Sequence, residues 1–312
     1  MAVLEVHQVT KRYEQLTAVD NVSFSVDAGH VFGLLGPNGA GKTTTIRMIT
    51  YIILPDEGDI LFDGKPVGPW SQERMGYLPE ERGLYRKMKV GEHLEYLAML
   101  KGLSQKEACE KVRYWLKRFE AENWYHRKVE ELSKGMQQKI QFIATIVHDP
   151  ELLIFDEPFS GLDPINSELL QDIIEELKTA DRTILFASHR MEQVEQICDD
   201  ICLISQGKAV LKGPLRTIKR AYGRDRFVME FSGDEAFVDE LVRQGWIEVR
   251  SRTRHRLEAR VLREVPPRMI LEHALAHGVD IYRFELMEPP LNDIFVMAVQ
   301  GYIPESLKSV EV

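Results

Sequence analysis

The chain has 312 residues, 44% of them hydrophobic, and a formal net charge of −9 at pH 7. That is enough apolar material for one large domain plus a small one. The acidic balance argues against a protein whose main work is holding nucleic acid, because such binding rests on Lys and Arg neutralising phosphates. No stretch approaches the roughly 20 apolar residues of a membrane-spanning helix. The N-terminus has no charged region followed by an apolar block and cleavage site, so a cytoplasmic protein is expected. Cys109, Cys198 and Cys202 form no C-x-x-C pair and suit a reducing compartment. Cys198 continues the apolar face of Met191, Val194 and Ile197 and reads as a buried thiol.

In chain order, Val22, Phe24 and Val26 alternate as one strand face, and Val31 to Leu35 is a buried apolar run. Asp63-Gly64 marks a hairpin turn. Tyr13 reads as part of a polar loop ahead of this strand pair, either stacking on a base or serving as an ordinary half-exposed tyrosine. The run Gly36, Pro37, Asn38, Gly39, Ala40, Gly41, Lys42, Thr43, followed by Thr44, fits G-x-x-x-x-G-K-[ST] between a strand and a helix with Ile46 and Ile49 inward. Such a loop closes backbone N–H groups around the β-phosphate, Lys42 neutralises the β and γ oxygens, and Thr43 can ligate Mg²⁺.

From Gly91 to Val147 the pattern is helical. Ser133 and Gly135, in ELSKGMQQK, precede a run with Ile140, Ile143, Ala144 and Val147 on one face. This is a helix start with a free hydroxyl and exposed donors, a second phosphate-attracting end. Strand signals return at 152–155, which delivers Asp156 and Glu157, and at 183–187, which delivers His189. Asp156 is placed to hold Mg²⁺ through water and Glu157 to polarise an attacking water. His189 reads either as a donor to a γ-phosphate or as a capping or core histidine. Between the strands, Leu169, Leu170, Ile173, Ile174 and Leu177 form one helical stripe. Strands alternating with helices predict a sheet with parallel members, and the all-helical middle reads as an insertion.

A boundary falls near 219–226, after Gly213-Pro214. Beyond it the signals run strand, helix (235–243), strand (246–250), strand (255–262), helix (267–277) and strand (280–286), the βαββαβ order of a ferredoxin-like unit. A last amphipathic helix follows Pro290. His255, His273 and His277 have no acidic or cysteine neighbour at ligand spacing except Glu272, and the i, i+4 pair reads as a helix surface rather than a zinc site.

The set Tyr13, Gly36 to Thr43, LSKGM at 132–136, LLIFDEP at 152–158, SGLD at 160–163 and His189, in this order, resembles the nucleotide-binding subunit of an ATP-binding cassette (ABC) transporter over residues 1 to about 215. GYLPEERGLY, LSKGMQQK and PPLNDIFV narrow the likeness to the NatA-like branch of ABC-2-type exporter ATPases, which carry a small C-terminal domain. The resemblance implies an α/β P-loop NTPase fold: an ABC ATPase core at 1–218 with a mixed sheet and a helical subdomain at about 86–145. A small α+β, ferredoxin-like domain at 225–312 completes the expected chain.

It also implies ATP and Mg²⁺ as cofactors, a second copy of the chain as partner in a head-to-tail ATP sandwich, and integral membrane permease subunits. No nucleic acid is expected. The chain would sit on the inner face of the cell membrane through the permease, with the groove beside the helical insertion and the segment 82–88 as contact surface. In such a sandwich Ser133 and Gly135 serve the partner's nucleotide, with Asp163 nearby. Two departures stand out. Lys134 and Met136 replace Gly and Gln of the usual LSGGQ, and Glu80 stands where a glutamine usually reaches the Mg²⁺ and attacking water. A carboxylate can still accept from that water. A soluble ABC ATPase, acting as a nucleotide-dependent regulator or on nucleic acid or ribosomes, is the alternative. The substrate is chosen in the absent permease, sodium being one candidate.

Overall fold

The computed structural model describes residues 2–81, 83–178, 182–223, 226–262 and 265–308. The chain divides into two compact units, the first running to Leu215 and the second from Arg216.

In the first unit, β1 (Ala2–Tyr13), β2 (Leu16–Asp27), β4 (Glu57–Phe62) and β5 (Lys65–Pro66) make an antiparallel sheet ordered β2-β1-β4-β5. Asp63 and Gly64 both have positive φ and close the β4–β5 hairpin, as their residue types require. The second sheet is ordered β10-β9-β3-β8-β7-β6. Its strands are β3 (Val31–Leu35), β6 (Met75–Leu78), β7 (Leu152–Asp156), β8 (Thr183–Ser188), β9 (Asp200–Ser205) and β10 (Lys208–Pro214). All its pairings are parallel except the β9–β10 hairpin. β3, β7 and β8 are buried along their whole length, which is why each reads as an unbroken apolar run rather than an alternation.

One cluster built on Leu4, Phe62, Leu34 and Ile46, all fully buried, joins the two sheets to α1 (Lys42–Ile49). At roughly 1.5–3 kcal/mol for each such side chain removed from water, this contact is a main term in holding the β3–α1 loop in place. A short helix, α2 (Pro69–Gln72), precedes β6.

The helical insertion comprises α3 (Val90–Leu100), α4 (Gln105–Arg118) and α5 (Lys134–Ile146). α4 starts at a Ser104/Glu107 capping box, and α5 starts at Ser133, whose hydroxyl accepts from the Met136 N–H at 3.3 Å. α6 (Pro164–Leu177) follows β7 and buries Leu170, Ile173, Ile174 and Leu177, and α7 (Met191–Ile197) follows β8. Cys198 is buried, its thiol pushed up by that burial, and it packs close to Gly33. No helix among the described residues is long and apolar enough to cross a membrane.

In the second unit, α8 (Leu215–Ala221) leads into β11 (Arg226–Ser232), α9 (Ala236–Arg243), β12 (Ile247–Thr253), β13 (Arg256–Val261), α10 (Pro267–Ala276) and β14 (Asp280–Met287). The sheet is antiparallel in the order β12-β13-β11-β14, the ferredoxin-like order that the βαββαβ signals predicted. Phe227, Met229 and Phe231 on β11 meet Phe237 and Leu241 of α9 and Ile270 of α10 in its core. α11 (Leu291–Val299) buries Leu291, Ile294 and Ala298, and α12 (Glu305–Lys308) ends the described chain. Arg82 and part of the 219–226 boundary lie outside the described residues.

Tyr13 departs from its expectation as a loop residue. It is the last residue of β1, paired with Leu16 across a tight turn, because β1 continues as a polar strand well past its buried half.

Candidate nucleotide site

β3, β7 and β8 lie side by side and end at the same edge of the sheet, so the residues after each arrive together. The β3–α1 loop is shaped by glycines. At Gly36 (φ +155°) an added Cβ would sit 2.2 Å from the Ile204 carbonyl oxygen, and at Gly41 (φ +109°) 2.5 Å from that of Ala18. No other residue type fits the close approach that brings this loop against β9 and β2. The N–H groups of the first turn of α1 have no intrahelical partner and open on a cleft of about 750 Å³.

That cleft is lined by Asn38 to Thr44, by Glu80, Asp156 and Glu157, and at its mouth by Tyr13 and Leu16. Tyr13 is 44% and Leu16 66% exposed. Gly36 and Pro37 stand behind it, their carbonyls holding the buried Lys42 Nζ at 2.7 and 3.2 Å. Burial lowers the Lys42 ammonium, while Glu157, Asp156 and Glu80 act to raise it. An ammonium facing three carboxylates, beside unpaired N–H groups, is a place where a polyphosphate with its cation satisfies every charge.

Thr43 Oγ1 donates to Asp156 Oδ2 at 3.0 Å, putting a hydroxyl and a carboxylate at one point, the hard-oxygen pair that suits Mg²⁺. Burial pushes the Asp156 carboxyl up to about 6, against the Thr43 hydrogen bond. Glu157 has φ +52°, a strained backbone for a non-glycine residue. Four bonds hold it there. Its N–H donates to the Ala187 carbonyl (3.0 Å), and its carboxylate accepts from Ser188 Oγ (3.1 Å), the His189 N–H (2.8 Å) and His189 Nδ1 (2.6 Å). The proton on Nδ1 is assigned from this contact, since a carboxylate can only accept.

The sequence-predicted residues therefore separate into two groups. Tyr13, the loop from Asn38 to Thr44, Glu80, Asp156 and Glu157 come together, and His189, its side chain 46% exposed, is bonded to Glu157 without itself lining the cleft. Ser133, Gly135 and Asp163 form a different cluster. Ser133 is the exposed N-cap of α5, Gly135 lies beside Gly161 and Leu162, and Asp163 caps α6 by accepting from the Asn166 N–H at 2.9 Å. None of these three lines the cleft.

Two residues carry weight that the sequence reading missed. Gln138 Nε2 donates to the Pro158 carbonyl (3.0 Å), and Gln141 Nε2 to those of Pro79 (3.1 Å) and Glu81 (3.2 Å). Both are buried, so α5 is bonded to the loop after Glu157 and to the loop carrying Glu80. The signal was available: two glutamines on the inward side of an otherwise apolar stripe.

A P-loop with a magnesium-type acid and a second, separate phosphate-type helix end, on this pair of sheets, defines an ATP-binding cassette. Residues 19–160 match the ABC transporter family, and residues 213–299 match the C-terminal domain of DrrA1-3-like ATP-binding proteins. The chain is 44% identical over 297 residues to the ABC transporter ATP-binding protein YhaQ of Bacillus subtilis, covering 95% of this chain and 98% of that one. It is 39% identical over 205 residues to NatA of the same organism (64% and 83%) and 34% identical over 299 residues to the Nod factor export ATP-binding protein I of Cupriavidus metallidurans (95% and 96%). The solved structure of an ATP-binding subunit of an ABC transporter matches with a TM-score of 0.66 at 34% identity, over 70% of this chain and 92% of that one. The chain belongs to the ABC transporter ATP-binding proteins and is an ATP-binding ATPase of that family.

Proposed function

We propose that two copies of this chain close head to tail on two ATP molecules and that closure and hydrolysis drive a separate membrane permease working as an exporter. The split of the site carries this reading. The cleft holds a P-loop, a metal acid and a base, whereas the phosphate-type end at Ser133 and Gly135 is not among the residues that line it. A second copy supplies that end to the triphosphate, so binding energy from ATP becomes association energy.

Within each site Lys42 and the loop N–H groups hold the β- and γ-phosphates, and Thr43 and Asp156, with Glu80 beside them, hold Mg²⁺. The metal supplies charge neutralisation between the phosphates. Glu157 takes the proton of the attacking water, and His189 and Ser188 keep its carboxylate in position despite the strained backbone. Tyr13 covers the base. Base–aromatic stacking contributes about 1–3 kcal/mol, so Tyr13→Ala is expected to raise the KM for ATP about 5- to 150-fold with kcat little changed. Tyr13→Phe should restore it. An unchanged KM in the alanine variant would remove Tyr13 from the site.

The permease surface follows from a second cavity of about 430 Å³ in the same unit, lined by Ile52, Tyr77, Leu84, Leu97, Leu100 and Ala144. Ile52 and Leu100 are 55% and 61% exposed, an apolar groove that suits an amphipathic segment of a membrane protein. Gln141 lines this groove while bonding the loop of Glu80, which links partner and nucleotide physically. Export is supported by the relative named for Nod factor export, which matches along nearly the whole chain. Detergent extraction of native membranes should recover a polytopic membrane protein with the wild-type chain and little with Leu100→Asp, while the purified variant still hydrolyses ATP. Equal recovery with the variant would sink the groove as the docking site, and recovery of ribosomes alone would sink the transporter reading.

A further inference from the structure

In the second unit, α9 and α10 pack together and bring Glu240, His273 and His277 into one cluster. One ligand atom from each lies within 4.8 Å of the others, the single such group of three among the described residues. His273 and His277 are one turn apart at α10 and its C-cap, so both rings lean to the same side, towards α9. From the sequence the pair read as a bare helix surface. The structure adds Glu240, which belongs to another helix and has no fixed spacing to either histidine.

Both histidines meet the carboxylate at the separation expected of ligands around a point. His273 Nε2 is 3.2 Å and His277 Nε2 3.3 Å from the same oxygen, Glu240 Oε2. Ligand atoms of a tetrahedral site with bonds of about 2.0–2.1 Å stand roughly 3.3 Å apart. His273 Nε2 is buried and makes no hydrogen bond, close though the carboxylate is, because it is not aligned for one. His277 Nδ1 lies 2.9 Å from the His273 carbonyl oxygen, which can only accept, so Nδ1 carries the proton. The His273 carbonyl and Glu240 raise the His277 imidazole, and whenever Nε2 is unprotonated it points its lone pair at a carboxylate oxygen. That arrangement repels unless a proton or a cation sits between them. A ring N–H donated to a backbone carbonyl is also the usual support of a metal-bound histidine. Two imidazoles and one carboxylate suit a borderline transition cation far better than Mg²⁺ or Ca²⁺.

We propose that Glu240, His273 and His277 form a binding site for a divalent transition cation of the zinc type, with a fourth position open to water or to a ligand from a partner. The site is independent of the nucleotide cleft and of the transport reading.

The test uses the full chain, stripped with a chelator and free of ATP, titrated with Zn²⁺ against a chromophoric zinc chelator. One equivalent per chain is expected. Loss of one of three direct ligands should weaken binding at least as much as loss of a supporting partner does, about 10- to 100-fold, in both Glu240→Gln and His277→Ala, while Asp156→Asn binds as the wild type does. Co²⁺ should give the intense visible absorption of a four-coordinate site, absent in Glu240→Gln, which keeps the shape of the side chain if His277→Ala perturbs the fold. Zinc binding no tighter than millimolar, undiminished binding in both variants, or no such Co²⁺ band would each overturn the site and leave a proton shared between Glu240 and the two histidines.

Discussion

Glu157→Gln is expected to lower steady-state ATP hydrolysis about 10²- to 10⁴-fold, the usual contribution of a positioned general base, while ATP binding persists. The substitution is nearly isosteric. Its amide oxygen can still accept from the His189 N–H, and Ser188 Oγ, which bonds the other carboxylate oxygen, can turn to accept from the new amide N–H, so the strained turn at residue 157 keeps its supports. What disappears is the negative oxygen that can take a proton from water. In the proposed cycle hydrolysis releases the sandwich, so the variant should accumulate with MgATP as a species of twice the 36.0 kDa of one chain, read by light scattering. Adding Ser133→Glu places a carboxylate against the partner's triphosphate and should return the species to monomer, with ATP binding by the single chain retained. Normal turnover in Glu157→Gln would remove Glu157 from its role as base. A dimer that survives Ser133→Glu would show that the α5 end does not meet the partner's phosphate.

The pairing of residues from two copies proposed above also marks how far the sequence could be read. The P-loop, Asp156 and Glu157 were legible because each follows a fully buried strand, and an unbroken apolar run that ends in Gly-rich or acidic residues is a pattern that packing alone does not demand. The ferredoxin-like order of the second unit was legible for the same reason of pattern, since alternation in β11 and the Gly278 stop after α10 punctuate it clearly. Tyr13 was misplaced because β1 ends in a polar stretch whose strand character comes from its neighbours, not from its own residues. Gln138 and Gln141 could be seen only as polar residues on an apolar stripe, and their partners, backbone carbonyls of remote loops, are what no side-chain spacing reveals. Glu240 escaped because contact between α9 and α10 exists only once the sheet has formed. Local periodicity carries elements and strand-end motifs, and sites assembled across elements wait for the fold.

Asp156 shows the cost that such a site imposes. Burial, more than any neighbour, holds its carboxyl at about 6 against an ordinary value of 3.8, with the Thr43 hydroxyl and Lys42 pulling down and Glu157 and Glu80 pushing up. Between those two values the folded chain binds the extra proton, so stability falls as pH rises from 3.8 through 6. Above that the ionised carboxylate costs up to about 3 kcal/mol, because each tenfold change in proton affinity is worth about 1.4 kcal/mol. Asp156→Asn keeps an oxygen for Thr43 and removes the charge. The nucleotide-free, metal-free variant should therefore be more stable than wild type at pH 8 by about 1–3 kcal/mol, the advantage shrinking through pH 6 and gone below pH 4. Its MgATP hydrolysis should fall at least about 10²-fold, because the metal that neutralises the phosphates loses its acid. In the wild type Mg²⁺ reverses the sign, since a cation favours the very charge that burial disfavours, so MgATP should raise the melting temperature of the wild type more than that of the variant. A variant less stable than wild type at pH 8, or a stability difference flat from pH 4 to pH 8, would mean that the buried charge of Asp156 is relieved within the apo chain.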